Sequence, residues 1–172
     1  MWWSERRPAP ALSRRRMLGG GLALALTGCG FSPVYGPGST GETLDGTVFV
    51  QQPSGALGFA LTQSLQNRLG PPGDTPRYML TTSISTSSER VAITTAQSTN
   101  RFNLIGVVTY TLTDIATGTI RTQGRVDGFN SYSATGISVA TRAAERDGYE
   151  RLMVILSDKI MSNLLALPRP TP

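Results

Sequence analysis

The sequence contains no histidine and a single cysteine, Cys29, among 172 residues. Without histidine there is no Ser-His or Cys-His pair to activate a nucleophile and no zinc site built on imidazole. Carboxylates are sparse, 11 Asp and Glu in all, and only Glu145, Asp147 and Glu150 cluster. Arg142, Arg146 and Arg151 intersperse them, which reads as the ion-paired, solvated face of a helix and not as an acid/base dyad. No Gly-rich loop follows a strand and opens a helix, so the usual phosphate cradle is missing. No catalytic constellation remains, and neither an enzyme nor a cofactor is expected. The apolar run from Met17 to Gly28 is about a dozen residues long and holds three consecutive glycines. A membrane span needs roughly 20 apolar residues.

That short run carries the most information. Arg6, Arg7 and Arg14-Arg15-Arg16 precede it, and Leu26-Thr27-Gly28-Cys29 ends it. A basic segment, a short apolar segment and small residues before a break make a bacterial export signal. A cysteine just after the break makes the break a lipobox, so residues 1–28 read as a lipoprotein signal peptide and Cys29 as the site of lipid attachment. Ser13-Arg14-Arg15-Arg16-Met17-Leu18 also resembles a twin-arginine signal; an ordinary basic leader is the preferred reading. The charge balance changes once the signal is set apart. The whole chain has 16 basic and 11 acidic residues, net +5. Residues 1–28 hold five arginines and one glutamate, which leaves 11 basic and 10 acidic from Cys29 onward, a net of +1. The basic character belongs mainly to the signal, and nucleic-acid binding loses its support.

Residues 29–46 are rich in Gly, Pro, Ser and Thr and read as a lipidated N-terminus and flexible tether, residues 47–167 as one domain, and residues 168–172 as a tail. Thr47-Val48-Phe49-Val50 predicts a first strand. Leu57, Leu61, Leu65 and Leu69 make one stripe of an amphipathic helix, with Ser54 as N-cap and Gly70 followed by two prolines as its stop. Tyr78, Leu80, Thr82 and Ile84 alternate as a strand, and a change of parity at Val91 and Ile93 predicts a bulge or break near Thr86–Arg90. Further strands are expected over Arg101–Asp114 and from Thr119 to about Tyr132, the latter with Ile120 and Val126 inward. Asp114-Ile115-Ala116-Thr117-Gly118 is the hairpin loop between them. A last helix over Ser138–Leu165 has Ala144, Leu152, Leu156, Ile160 and Leu164 as its stripe. The order β-α-β-β-β-α predicts an α+β two-layer sandwich, about four mostly antiparallel strands with two amphipathic helices on one face.

Three stretches together carry a family resemblance: Cys29-Gly30-Phe31-Ser32-Pro33-Val34-Tyr35-Gly36; Asn100-Arg101-Phe102-Asn103-Leu104 with Tyr110–Asp114; and Gly124–Tyr132 leading into Ala143-Ala144-Glu145-Arg146-Asp147 and the late Asp158-Lys159-Ile160. The chain resembles the LptE family of lipopolysaccharide-assembly lipoproteins, in its alphaproteobacterial form. Gly148 departs from the alanine usual there, and a local bend of the helix is expected. The resemblance implies a lipid-anchored protein at the periplasmic face of the outer membrane. It would occupy the lumen of an LptD-type β-barrel and help place lipopolysaccharide in the outer leaflet. The alternative is a periplasmic lipoprotein serving as a ligand-binding or auxiliary subunit of an envelope lipid-transport system. Arg90 and Arg101 flank the stretch Val91–Asn100 between two long strands, and both are expected to project from one end of the sheet. They are candidate ligands for the phosphates or carboxylates of lipopolysaccharide; solvated loop charges or contacts to the barrel wall fit the same pattern.

Overall fold

The computed structural model describes residues 35–93, 99–135 and 138–168. Among these residues three helices and four strands follow in chain order: α1 (Thr40–Leu44), β1 (Val48–Gln51), α2 (Gly55–Leu69), β2 (Tyr78–Ile93), β3 (Thr99–Asp114), β4 (Ile120–Thr135) and α3 (Ser138–Leu165). The strands form one sheet in the order β1-β2-β3-β4. β1 runs parallel to β2, and β2, β3 and β4 form an antiparallel meander. This is the expected α+β arrangement, with one more helix than the sequence indicates.

Alternation decides which face is covered. On β3, Leu104, Val108, Tyr110 and Leu112 are buried, and their neighbours on β2 and β4 include Leu80, Val126 and Tyr132. Against them lie Leu61, Leu65 and Leu69 of α2 and Leu152, Leu156, Ile160 and Leu164 of α3. Both leucine stripes therefore face the sheet as their spacing predicts. Gly106 and Gly128 pair across β3 and β4, and their missing side chains make room for α3. A Cβ on Gly106 would stand 2.8 Å from Leu156 Cδ1, and one on Gly128 3.2 Å from Ile155 Cγ2. The helices are joined by a buried Ser64–Ser157 hydroxyl contact of 2.7 Å and, at the surface, by the Arg68–Asp158 ion pair.

Gly148 has the same use within α3. A Cβ there would meet Leu104 Cδ1 at 3.0 Å, and Asn130 Nδ2 donates to its carbonyl at 2.9 Å. α3 continues through this position, so what the glycine provides is close approach to the sheet.

Three details differ from expectation. Residues 40–44, placed in the tether, form α1. The Ser39 hydroxyl accepts from Glu42 N–H, Thr40 Oγ1 donates to Leu167 O at 3.2 Å, and Leu44 is buried in the core. A five-residue helix with one buried leucine leaves no periodicity to read. Second, β2 continues to Ile93 and its irregularity lies between Arg90 and Ala92, at the edge of the expected window. Arg90 and Arg101 accordingly sit within strands. Third, Ile120 is 59% exposed, not inward. A register shift between Leu112 and Thr113 leaves Arg121 unmatched, so Ile120 pairs with Thr113 and takes the outer face; a one-residue slip exchanges faces. The hairpin loop is as expected, with Gly118 at φ 68° and its N–H donating to Asp114 O at 2.8 Å. Ser54 is the N-cap residue of α2, but its side chain makes no capping bond.

Gly58 gives a test of the β1–α2 junction. Alanine in place of a helical glycine ordinarily stabilises by up to about 1 kcal/mol. A Cβ on Gly58 would fall 2.2 Å from Pro53 O, a backbone atom that no rotamer change can move. Overpacking of this kind costs about 1–3 kcal/mol. Gly58→Ala is expected to lower the midpoint of thermal unfolding by roughly 5–10 °C. A higher midpoint would mean that the Pro53 turn yields freely.

Candidate functional site

Strands β2, β3 and β4 have 16 residues each, about 50 Å if straight at roughly 3.3 Å per residue. Their ends near residues 90, 102 and 132 carry a stacked ladder. Arg90 is paired with Phe102, and Phe102 with Tyr132, in adjacent strands. The Arg90 guanidinium lies over the Phe102 ring, 5.3 Å from its centroid. The Phe102 and Tyr132 rings stack with centroids 5.3 Å apart and 13° between planes. Such contacts contribute about 0.5–1.5 kcal/mol each. Burial pushes the Tyr132 phenol above its usual titration range, and the nearby Glu145 and Tyr149 push it the same way.

Both candidate arginines are thus at this end of the sheet and exposed. They do not share a face. Arg90 stands opposite Phe102, on the helix side; Arg101 adjoins Phe102 in sequence and stands opposite Ser133, so the pleat turns it to the outer side. No single flat group can meet both from one face. Counting outward from the Thr117–Gly118 turn brings Phe102 level with Tyr132 only through the shift at Arg121, which the sequence does not reveal. Cys29 lies outside the described residues. Glu145, Asp147 and Glu150 fall on α3, where Asp147 pairs with Arg151 at 2.7 Å and both are well exposed, as a solvated face requires. Among the described residues no group of three His, Cys, Asp or Glu is placed to hold a metal ion, and no described helix is long and apolar enough to cross a membrane.

Asp114 organises the opposite end of the sheet. Burial pushes its carboxyl up, but the N–H groups of Thr117 and Ala116 and the charge of Arg77 outweigh that and hold it below the usual carboxylate range. Its contribution to stability is therefore present above the unfolded-state value and lost as pH falls through the lower folded one.

The outer face of the sheet is covered by no described element. It presents Thr81, Ser83, Ser85 and Ser87 of β2, Thr109 of β3, and Ser131 and Ser133 of β4, all exposed. Among these hydroxyls lies a small apolar group, with Phe129, 71% exposed, opposite the half-buried Ile105.

The sequence matches the profile of the family described as LptE, lipopolysaccharide-assembly, over residues 46–164. No curated protein matches it. Among solved structures, one from Caulobacter crescentus is similar with a TM-score of 0.61 at 24% identity, covering 72% of this chain and 92% of that one. A minor lipoprotein from Acinetobacter baumannii has a TM-score of 0.50 at 13% identity, with 69% and 91% covered. Rare lipoprotein B from Shewanella oneidensis has a TM-score of 0.50 at 11% identity, with the same coverage. At these identities the structures share a fold with this chain. The profile spans the whole sheet and both long helices, and by that match the chain belongs to the LptE family of lipopolysaccharide-assembly proteins.

Proposed function

We propose that the chain is a non-enzymatic outer-membrane lipoprotein, anchored through Cys29, that occupies the lumen of an LptD-type β-barrel and helps it place lipopolysaccharide in the outer leaflet. The family match over residues 46–164 carries the reading. The uncovered, hydroxyl-rich sheet face supports it, because the interior of a membrane barrel is polar and a polar surface suits such a wall. Conditional depletion should reduce surface lipopolysaccharide, raise sensitivity to large hydrophobic antibiotics and leave the barrel scarce or misassembled. Normal surface lipopolysaccharide after thorough depletion would favour the auxiliary subunit of a lipid-transport system.

Within this reading Arg90 and Arg101 contact anionic groups of lipopolysaccharide, each from its own side of the sheet. Arg90 is already oriented by Phe102, so less side-chain freedom is lost on binding. Arg90→Ala should weaken lipopolysaccharide binding by the mature chain about tenfold, the scale of one charge-assisted pair, with the circular dichroism spectrum unchanged. Arg101→Ala should act independently. Arg142→Ala, an exposed arginine of α3, is the control; Arg68 is unsuitable because it joins the two helices. Equal binding by all three variants would leave the strand arginines as solvated charges.

A further inference from the structure

β1 covers only the start of β2. Its four residues pair with Tyr78–Thr81, and from Thr82 onward no described strand lies on that side. The direction of the backbone groups is fixed at the beginning of the strand. Tyr78 N–H donates to Thr47 O at 3.0 Å, toward β1, while Arg77 O accepts from Ile115 N–H at 2.9 Å, toward β3. In an antiparallel ladder alternate residues send both groups to the same side. Ile84, Thr86, Ser88 and Arg90 therefore direct N–H and C=O away from β3, into an open edge.

Natural sheets guard such edges with charge, proline, bulges or a covering element. The far edge, β4, is guarded. It carries Arg121, Arg125 and Asp127, and Lys159 Nζ of α3 donates to Asp127 O at 2.6 Å. Between Thr82 and Ser88, β2 has neither a charge nor a proline. A groove of about 530 Å³ runs beside this stretch, lined on one side by Thr82, Ile84 and Thr86 and on the other by Pro53–Gly58. Thr82, 8% exposed, lines it, and its buried hydroxyl has no hydrogen-bond partner.

We propose that this edge accepts one β-strand from a partner polypeptide, extending the sheet from the point where β1 turns away at Pro53. The unpaired groups define the occupant: an uncharged extended segment of about six residues, without proline at the positions facing β2. Its groove-side residues are small or β-branched, and it brings an acceptor or donor to Thr82. A second copy of this chain is a poor occupant. Edge-to-edge pairing about a two-fold axis would bring both copies of the Pro53–Gly58 flank to the same stretch. That the strand comes from the LptD-type barrel rests on the function proposed above; that the edge accepts a strand does not.

The test has two arms. In the first, the full mature chain is titrated with acetyl-Lys-Thr-Val-Thr-Val-Thr-Lys-amide and followed by amide NMR. The amides of Ile84, Thr86, Ser88 and Arg90 should move, those of Ser85 and Ser87 should move little, and Thr86→Pro should weaken binding at least about tenfold. The proline removes an N–H that faces the edge and not β3, so folding is retained. Absence of binding, or binding unaffected by the proline, overturns the proposal. In the second, hydrogen exchange is compared for the chain alone and in complex with its barrel. The same four amides should slow at least about tenfold in the complex. An intact complex without that protection removes the barrel as the donor of the strand. If no complex forms, the barrel reading fails and the first arm still decides the edge. Protection that grows with concentration in the chain alone would identify a second copy and overturn the assignment.

Discussion

Leu156→Asp is expected to unfold the domain at ordinary temperature. Leu156 is 0% exposed on α3 and fills the space left by Gly106 and Gly128 in the sheet below. Removing a buried leucine side chain alone costs about 2–5 kcal/mol. The aspartate adds an unpaired charge beside the side-chain carbons of Leu152 and Ile155, which offer no donor. Burying such a charge costs several kcal/mol more, or forces its protonation. The total stability of a domain is about 5–15 kcal/mol, so the two terms together consume most or all of it. Val154→Asp, two residues away on the exposed side of the same helix, should melt close to the parent. Thermal melting followed by circular dichroism separates the two, and a cooperative transition for Leu156→Asp near the parent midpoint would contradict the packing described for α3.

Cys29→Ala is expected to abolish lipid anchoring outright. No other cysteine exists to take its place. Each buried CH₂ contributes about 0.8 kcal/mol to membrane attachment, and a protein holding two or more acyl chains is effectively fixed at the surface. Metabolic labelling with palmitate should fall to background, and the protein should leave the outer-membrane fraction or accumulate as precursor. Undiminished labelling would reassign the segment. Ser39 to Leu44 belong to the packed structure, so the tether expected over residues 29–46 does not extend through them. Depletion and Cys29→Ala need not give equal phenotypes: a chain that folds and finds its barrel without the anchor would retain part of its role.

The long elements were readable because their signals repeat. Four leucines at every fourth position specify α2 and its buried side, and the run from Leu152 to Leu164 does the same for α3. The features that were not readable depend on single residues. One unmatched arginine, Arg121, moves Ile120 from the core face to the outer face, and with only Ile120 of β4 beyond it there is no alternation to report the insertion, as there was at Val91 and Ile93. α1 is too short for a period. The separation of Arg90 from Arg101 follows from pairing register, which requires the bulge at Val91 to be placed to the residue. The open edge of β2 is a property of β1 ending early. Pro53 marks that end, but nothing in β2 itself records that its neighbour is absent.

The ladder at the end of the sheet also gives the chain an optical handle. Both tryptophans, Trp2 and Trp3, precede Cys29. A chain cleaved before Cys29 therefore emits only from tyrosine, with no indole to drain its excitation. Tyr132 is raised in pKa by burial and by Glu145, and it stacks on the ring beneath Arg90. An anionic lipid that meets Arg90 over Phe102 would change the field and solvent access at that phenol. The ultraviolet difference spectrum of tyrosine ionisation, recorded with and without ligand, then reads occupancy of the site in the unlabelled protein.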